Sequence, residues 1–154
     1  QSSFEPYGEI TEPMDIADVA VSDLSSYDSL IVGAPTWHTG ADEGRSGTAW
    51  DEAYGDIRSL DLSGKKVAVF GVGDSSAYGE YFCDAIEELH SAFRDTGAEM
   101  CGGNVSKDDY DFADSKALVD GVFIGLPFDE DNESHKSEER AKNWCKQLSN
   151  AGFK

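Results

Sequence analysis

Apolar residues come in short blocks separated by polar, glycine-rich stretches. Asp28–Pro35 carries Leu30-Ile31-Val32 and is stopped by Gly33 and Pro35. Lys65–Gly71 carries Val67-Ala68-Val69-Phe70, and Val122–Leu126 is a third run of the same kind. Each is shorter than an ordinary helix and is bounded by turn-forming residues, so each reads as a buried strand. Continuous apolar strands belong to sheets covered on both faces, which are usually parallel. Glu9–Met14 is a weaker strand candidate.

Helical spacing fills the intervals. Phe82, Ala85, Ile86, Leu89 and Phe93 recur along one face, with Glu87 and Glu88 on the wet side and Gly97 suited to a C-terminal cap. Ser137-Glu138-Glu139-Arg140 opens a last helix that carries Trp144 and Leu148 and ends before Gly152. Ala49–Leu60 holds a shorter helix. Strands alternating with helices predict an α/β domain with a parallel sheet. Asn104–Gly121 breaks this alternation and reads as an insertion.

With 154 residues the chain suits a single domain, 1–154, able to bury a core. Composition changes the picture mainly through charge. A formal charge of −19 repels nucleic acid and anionic membrane surfaces and attracts basic protein partners. Solubility is a competing reason for such a charge. No apolar run is long enough to span a membrane. Cys83, Cys101 and Cys145 fit no metal spacing and no disulfide framework. His90 and His135 have no partners at ligand spacing, so no metal site is expected.

Ligands of open α/β sheets bind beyond the C-terminal strand ends. Pro35-Thr36-Trp37-His38-Thr39-Gly40 follows the first apolar run. Gly71-Val72-Gly73-Asp74, then Tyr78, follows the second. Each loop combines a large aromatic with glycines that admit a ligand to the backbone. Trp37 and Tyr78 either form a slot for a flat ring or cover loop ends against the core, and the two readings stand level on these grounds.

Several of these segments, taken in order, resemble the flavodoxins. Pro35-Thr36-Trp37, Gly73-Asp74 and Tyr78 are similar to the two loops that sandwich a flavin in that family. Tyr110-Asp111-Phe112 through Ser115-Lys116-Ala117-Leu118 resembles the insertion of its long-chain members. Phe123-Ile124-Gly125-Leu126 and Asp129-Glu130-Asp131-Asn132 continue the likeness, and Gly40-Ala41-Asp42 with Arg45-Ser46-Gly47-Thr48 resembles an algal variant. The resemblance implies a doubly wound parallel sheet of order 2-1-3-4-5, with the last strand split by the insertion. It also implies FMN as cofactor and one-electron transfer rather than enzymatic turnover.

Carried over residue by residue, the resemblance puts Trp37 and Tyr78 on the two faces of the flavin. Backbone groups around Thr36, Gly73, Asp74 and Cys83 would meet its pyrimidine end, the His38–Thr39 peptide would sit beside N5, and Gly71 is a further cofactor-binding candidate. Gly40 and Tyr81 complete the candidate set. Asp74 and the nearby acidic loops would lower the potential of the fully reduced ring. His38 and Tyr81 both stand where Asn is common. His38 reads either as a titrating neighbour of the ring or as a solvated loop residue. The implied partners are basic redox proteins, of the photosystem I and ferredoxin–NADP reductase type. The protein would be a monomer, in the chloroplast stroma for an algal source and in the cytoplasm otherwise.

The family's opening strand, phosphate loop and first helix find no match, since Gln1–Gly8 resembles only that helix's exit. The chain is therefore expected to be an N-terminally incomplete domain lacking the first strand. That gap would fall between the Glu9 and Leu30 strands and would be about two spacings of 4.7–4.9 Å wide. The rival is a short form holding FMN weakly or not at all. Two other functions stay open: an FMN-dependent quinone reductase or reductase domain, and a flavin-free interaction module on the same fold.

Overall fold

The computed structural model describes residues 1–154. A parallel sheet forms its centre. Strand β1 (Ser29–Pro35) pairs with β2 (Lys66–Val72) over seven residues, from Ser29 opposite Lys66 to Pro35 opposite Val72. The other edge of β2 receives two short strands, β3 (Glu99–Cys101) at its start and β7 (Leu126–Phe128) at its end. Both run parallel to β2, so together they occupy one strand position interrupted by the residues between them.

Those intervening residues fold on themselves. β4 (Val105–Ser106), β5 (Leu118–Val119) and β6 (Val122–Phe123) make a small antiparallel sheet with β6 in the middle. Asp120 and Gly121, both at positive φ, form the tight turn joining β5 to β6. The predicted Val122–Leu126 strand is thereby corrected. Its first two residues join the small sheet, and Leu126 belongs to the main one.

Helices cover both faces. Helix α1 (Trp50–Arg58) and helix α2 (Ala85–Arg94) bury Tyr54, Ile57, Ile86, Leu89 and Phe93 against Leu30, Val32, Val67 and Val69. Helix α3 (Glu130–Asn150) packs Trp144, Cys145 and Leu148 on Ala68 and Leu126, with Phe4 and Phe153 beside them. Full burial of one such side chain is worth about 1.5–3 kcal/mol. α2 starts at Ala85, three residues after the predicted Phe82, and Gly97 takes a left-handed φ of 82° beyond it as expected of a cap. α3 begins seven residues before Ser137, with a non-helical Glu133 in its first turns.

Glu9–Met14 is not a strand. The segment is mostly exposed, and only Ile10 reaches the core. Pro13 lacks a backbone donor, Glu9, Thr11 and Glu12 are polar, and even the apolar Met14 stays 54% exposed. No strand lies beyond β1, so the sheet ends there and the expected internal gap does not occur. Gly33 in β1 leaves space that the Phe70 ring of β2 fills. No helix is long and apolar enough to cross a membrane.

Gly125, between β6 and β7, is buried where an added Cβ would overlap the Val69 carbonyl oxygen. Backbone cannot yield there. Gly125→Ala is expected to lower stability by about 2–3 kcal/mol. Guanidinium unfolding should show this as a lower midpoint with an unchanged slope.

Candidate functional site

The shared register of β1 and β2 sends two loops out at one edge of the sheet, since Pro35 and Val72 are opposite partners. The first loop runs from Thr36 to Thr48 and the second from Gly73 to Asp84. Trp37 keeps 71% of its surface in solvent and Tyr78 keeps 53%, so neither serves as a cover over the core. The loops meet at Gly40, whose missing side chain would contact the Tyr81 ring at 3.4 Å. Gly40 has a φ of 79°, a conformation that favours glycine.

Hydrogen bonds from distant residues shape the first loop. The Trp37 and His38 amides donate to the carbonyls of Ser46 and Arg45, which folds the loop back on itself. The Asp51 carboxylate, in the first turn of α1, accepts from the amides of Ser46 and Gly47. The Thr36 hydroxyl accepts from the Ala85 amide at 3.1 Å and so caps α2 from outside its own segment. The His38 ring lies exposed, with Nδ1 3.0 Å from the Gly44 carbonyl and 4.0 Å from the Asp51 carboxylate. Thr39 is half-buried beside it.

The second loop is braced from the insertion and from α3. The Ala113 and Asp114 amides donate to the Gly79 carbonyl, and the Phe82 amide donates to Asp114. The Ser115 hydroxyl donates to the Phe82 carbonyl at 2.5 Å. Asn132 donates to Asp74 and to the fully buried Asp129, which also takes the Ser75 hydroxyl. Gly73 lies so close to Cys83 that a Cβ there would stand 2.8 Å from the Cys83 amide nitrogen. Cys83 itself is fully buried with φ 54°, a strained setting for a residue with a side chain. Burial pushes its thiol pKa well up, so it is no nucleophile.

Several backbone amides of the two loops find no acceptor in the chain, and among the buried or half-buried residues these include Thr39, Asp74, Ser75 and Cys83. Buried or half-buried amides rarely go unpaired. Gly71, the remaining sequence candidate, lies inside β2. A Cβ there would meet Ile86 at 2.5 Å, so its lack of a side chain serves helix packing. A cavity of about 820 Å³ lies on one side of Tyr78, between Ser75–Tyr81, Asp111–Ala113 and Asn132–Glu133. It shares Tyr78 and Tyr81 with the candidate set but not Trp37. The open donors and exposed rings define the site better than this acidic trough does.

The sequence places Glu88 on the wet side of its helix, but the structure buries it to bind two loop amides, and no holding role is readable there for Asp51, Asp84 or Asp129. Their partners lie up to 54 residues away, and no local pattern marks them. Asp84 has its pKa raised by burial, against the Lys116 amide that it accepts.

Asp74 is the acid whose titration reports on the second loop. Its Oδ1 accepts from the amides of Ala77 and Ser76 and from Asn132, and these bonds, Ala77 first, hold its pKa below the ordinary 3.8. A depressed carboxyl contributes stability above its unfolded pKa and loses it as pH falls through the folded value. The Ser76 and Ala77 amide resonances should therefore shift together with a midpoint below 3.8. Asp74→Asn should abolish that step in an NMR titration.

A sequence profile described as flavodoxin matches residues 3–153. A flavodoxin of Nostoc sp. is 41% identical over 134 residues, covering 87% of this chain and 76% of that protein. A flavodoxin of Haemophilus influenzae is 40% identical over 139 residues, covering 88% and 77%. Among solved structures, a Fusobacterium nucleatum flavodoxin bound to flavin mononucleotide superimposes with a TM-score of 0.76 at 28% identity, covering 86% of this chain and 76% of that one. The fold, the two loops and these relatives agree, and the chain belongs to the flavodoxin family.

Proposed function

We propose that this chain is a one-electron carrier that holds FMN between its two aromatic loops. The observation that carries this reading is that unpaired amides, those of Thr39, Asp74 and Cys83 among them, lie on the same loops that present Trp37 and Tyr78 to solvent. A flat heterocycle with carbonyl and imine acceptors along one edge fits such donors, and its faces fit the two rings. The FMN-bound Fusobacterium relative supports the same cofactor. When bound, the flavin supplies the redox chemistry; the protein supplies placement and electrostatic surroundings.

Each residue then has a defined task. Trp37 and Tyr78 cover the faces of the ring. The Thr39, Asp74 and Cys83 amides receive its acceptor edge. Gly73 permits close approach of the backbone, and Gly40 with Tyr81 closes the gap between the loops. Asp74 and the exposed Asp42, Glu43, Glu80 and Asp111 give the region a negative potential, which disfavours adding negative charge to the ring.

The partners in this reading are basic redox proteins, met quickly because a protein of charge −19 steers them. A photosystem I donor and a ferredoxin–NADP reductase acceptor are its finer form. The relatives named above are bacterial, which favours a cytoplasmic over a chloroplast setting. Faster reduction of the flavin-loaded chain by illuminated photosystem I particles at low salt than at high salt would support that pair.

Titration of the purified chain into FMN should quench flavin fluorescence and leave a yellow protein. Trp37→Ala should weaken binding about tenfold or more, since one aromatic contact of about 1.5–3 kcal/mol is lost. A parent chain that leaves FMN fluorescence unchanged would remove the proposal.

A further inference from the structure

Glu88 lies on α2, outside the two loops, and is 7% exposed. Its two carboxylate oxygens accept from consecutive backbone amides of the first loop, Gly44 at 2.9 Å and Arg45 at 3.0 Å. Arg45 is also buried. Its guanidinium donates to the Ala41 and Asp42 carbonyls of its own loop and to Glu87 of α2 at 2.6 Å. The Arg45 carbonyl then accepts from the His38 amide at 3.0 Å, and the next carbonyl, Ser46, accepts from Trp37. A path of hydrogen bonds therefore joins α2, through the backbone of Arg45, to the Trp37–His38 backbone.

We infer that Glu88 and Arg45 are positioning residues that fix the Trp37–Thr39 segment relative to Tyr78, and so set the width and alignment of the ring site. α2 is the rigid member, because it begins two residues after Cys83 and packs on the sheet through Ile86, Leu89 and Phe93. The first loop has no regular secondary structure over Thr36–Thr48, so its placement depends on such ties. Asp51 holds the same hairpin from α1. The carboxylate on α2 links that hairpin to the helix following the second loop. Hydrogen bonds to a charged acceptor are the stronger kind, and a bidentate pair also fixes direction. This role rests on the ring-binding reading above.

The test uses the full chain and riboflavin, which offers the ring without a phosphate. Glu88→Gln keeps the side chain's shape but presents one acceptor oxygen to two amides. Arg45→Met keeps both amide bonds and removes the guanidinium ties, and Arg45→Lys restores part of them. The readouts are riboflavin affinity, the visible absorption of the bound ring, and amide exchange at Trp37 and His38 without ligand. The expected results for Glu88→Gln are about tenfold weaker binding, a spectrum shifted toward free riboflavin, and faster exchange at both amides. Arg45→Met should act in the same direction, with partial recovery in Arg45→Lys.

Folded variants that bind within about twofold of the parent, with its spectrum and exchange rates, would overturn the inference. Should Glu88→Gln not fold, the Arg45 pair decides: recovery of affinity and spectrum by lysine supports the role, and equal behaviour of methionine and parent refutes it. A parent that binds neither riboflavin nor FMN would refute the ring reading alone. Exchange at Trp37 and His38 would then decide the positioning role, with unchanged protection in the variants counting against it.

Discussion

The seven-residue parallel register of β1 on β2 is the constraint from which the site follows. In parallel strands the chain leaves both at the same edge, and here it does so at opposite partners, Pro35 and Val72. The loops that begin at Thr36 and Gly73 are thus neighbours before any side chain is chosen. A one-residue slip in β1 would turn Leu30, Val32 and Ala34 away from α1 and α2 and would shift Trp37 relative to Tyr78. The apolar alternation that secures the core therefore also secures the separation of the two aromatics. Sheet register and ring site are specified by the same residues.

What could be read in the sequence was what is local. Leu30-Ile31-Val32 and Val67-Ala68-Val69 announce strands through short apolar runs, and the Ile86, Leu89, Phe93 spacing announces α2. Trp37 and Tyr78 stand out because large aromatics in glycine-containing loops have no obvious core to enter. The misreadings share a cause. Glu9–Met14 has strand-like residues but does not pair with β1, the terminal strand of the sheet, and pairing is a tertiary fact. Val122–Leu126 looks like one strand because periodicity cannot reveal that Gly125 must be bare to clear the Val69 carbonyl, which breaks the run in two. Early residues of α3 are too acidic to display a core-facing stripe, so the sequence pattern marks the helix only from Ser137.

The loops illustrate the harder limit. Neither has a sequence pattern that fixes its shape, and both are shaped by acids: Asp51 and Glu88 of α1 and α2 for the first, Asp129 just before α3 and the loop's own last residue, Asp84, for the second. Burying a carboxylate is costly unless several donors surround it. Asp51, Glu88 and Asp129 meet that condition by collecting backbone amides, hydroxyls or an amide side chain, whereas Asp84 accepts only from the Lys116 amide and burial raises its pKa. The acidity of this chain is therefore of two kinds. Exposed acids such as Asp42, Glu43 and Glu80 set a long-range field that salt will screen. Buried ones act as templates for loop backbone, and salt reaches them far less.

The insertion between β3 and β7 belongs to the same logic. It interrupts a strand of the main sheet, which removes ladder hydrogen bonds, yet it sits on the structure by many contacts. The Tyr110 hydroxyl donates to the Pro127 carbonyl, and the Arg140 guanidinium lies 4.0 Å over the Tyr110 ring while bonding Asp109. Trp144 and Gln147 of α3 donate to the carbonyls of Gly102 and Gly103. Phe82, immediately before Cys83, stacks on Phe112 and packs against Tyr110 and Phe123. From this base Ala113, Asp114 and Ser115 reach the Tyr78 loop through four hydrogen bonds. The first loop is thus held by α1 and α2, and the second by the insertion and α3. An excursion that weakens one edge of the sheet becomes the brace for the loop that would otherwise be free, and it packs its aromatics on Phe82, the chain neighbour of the strained Cys83.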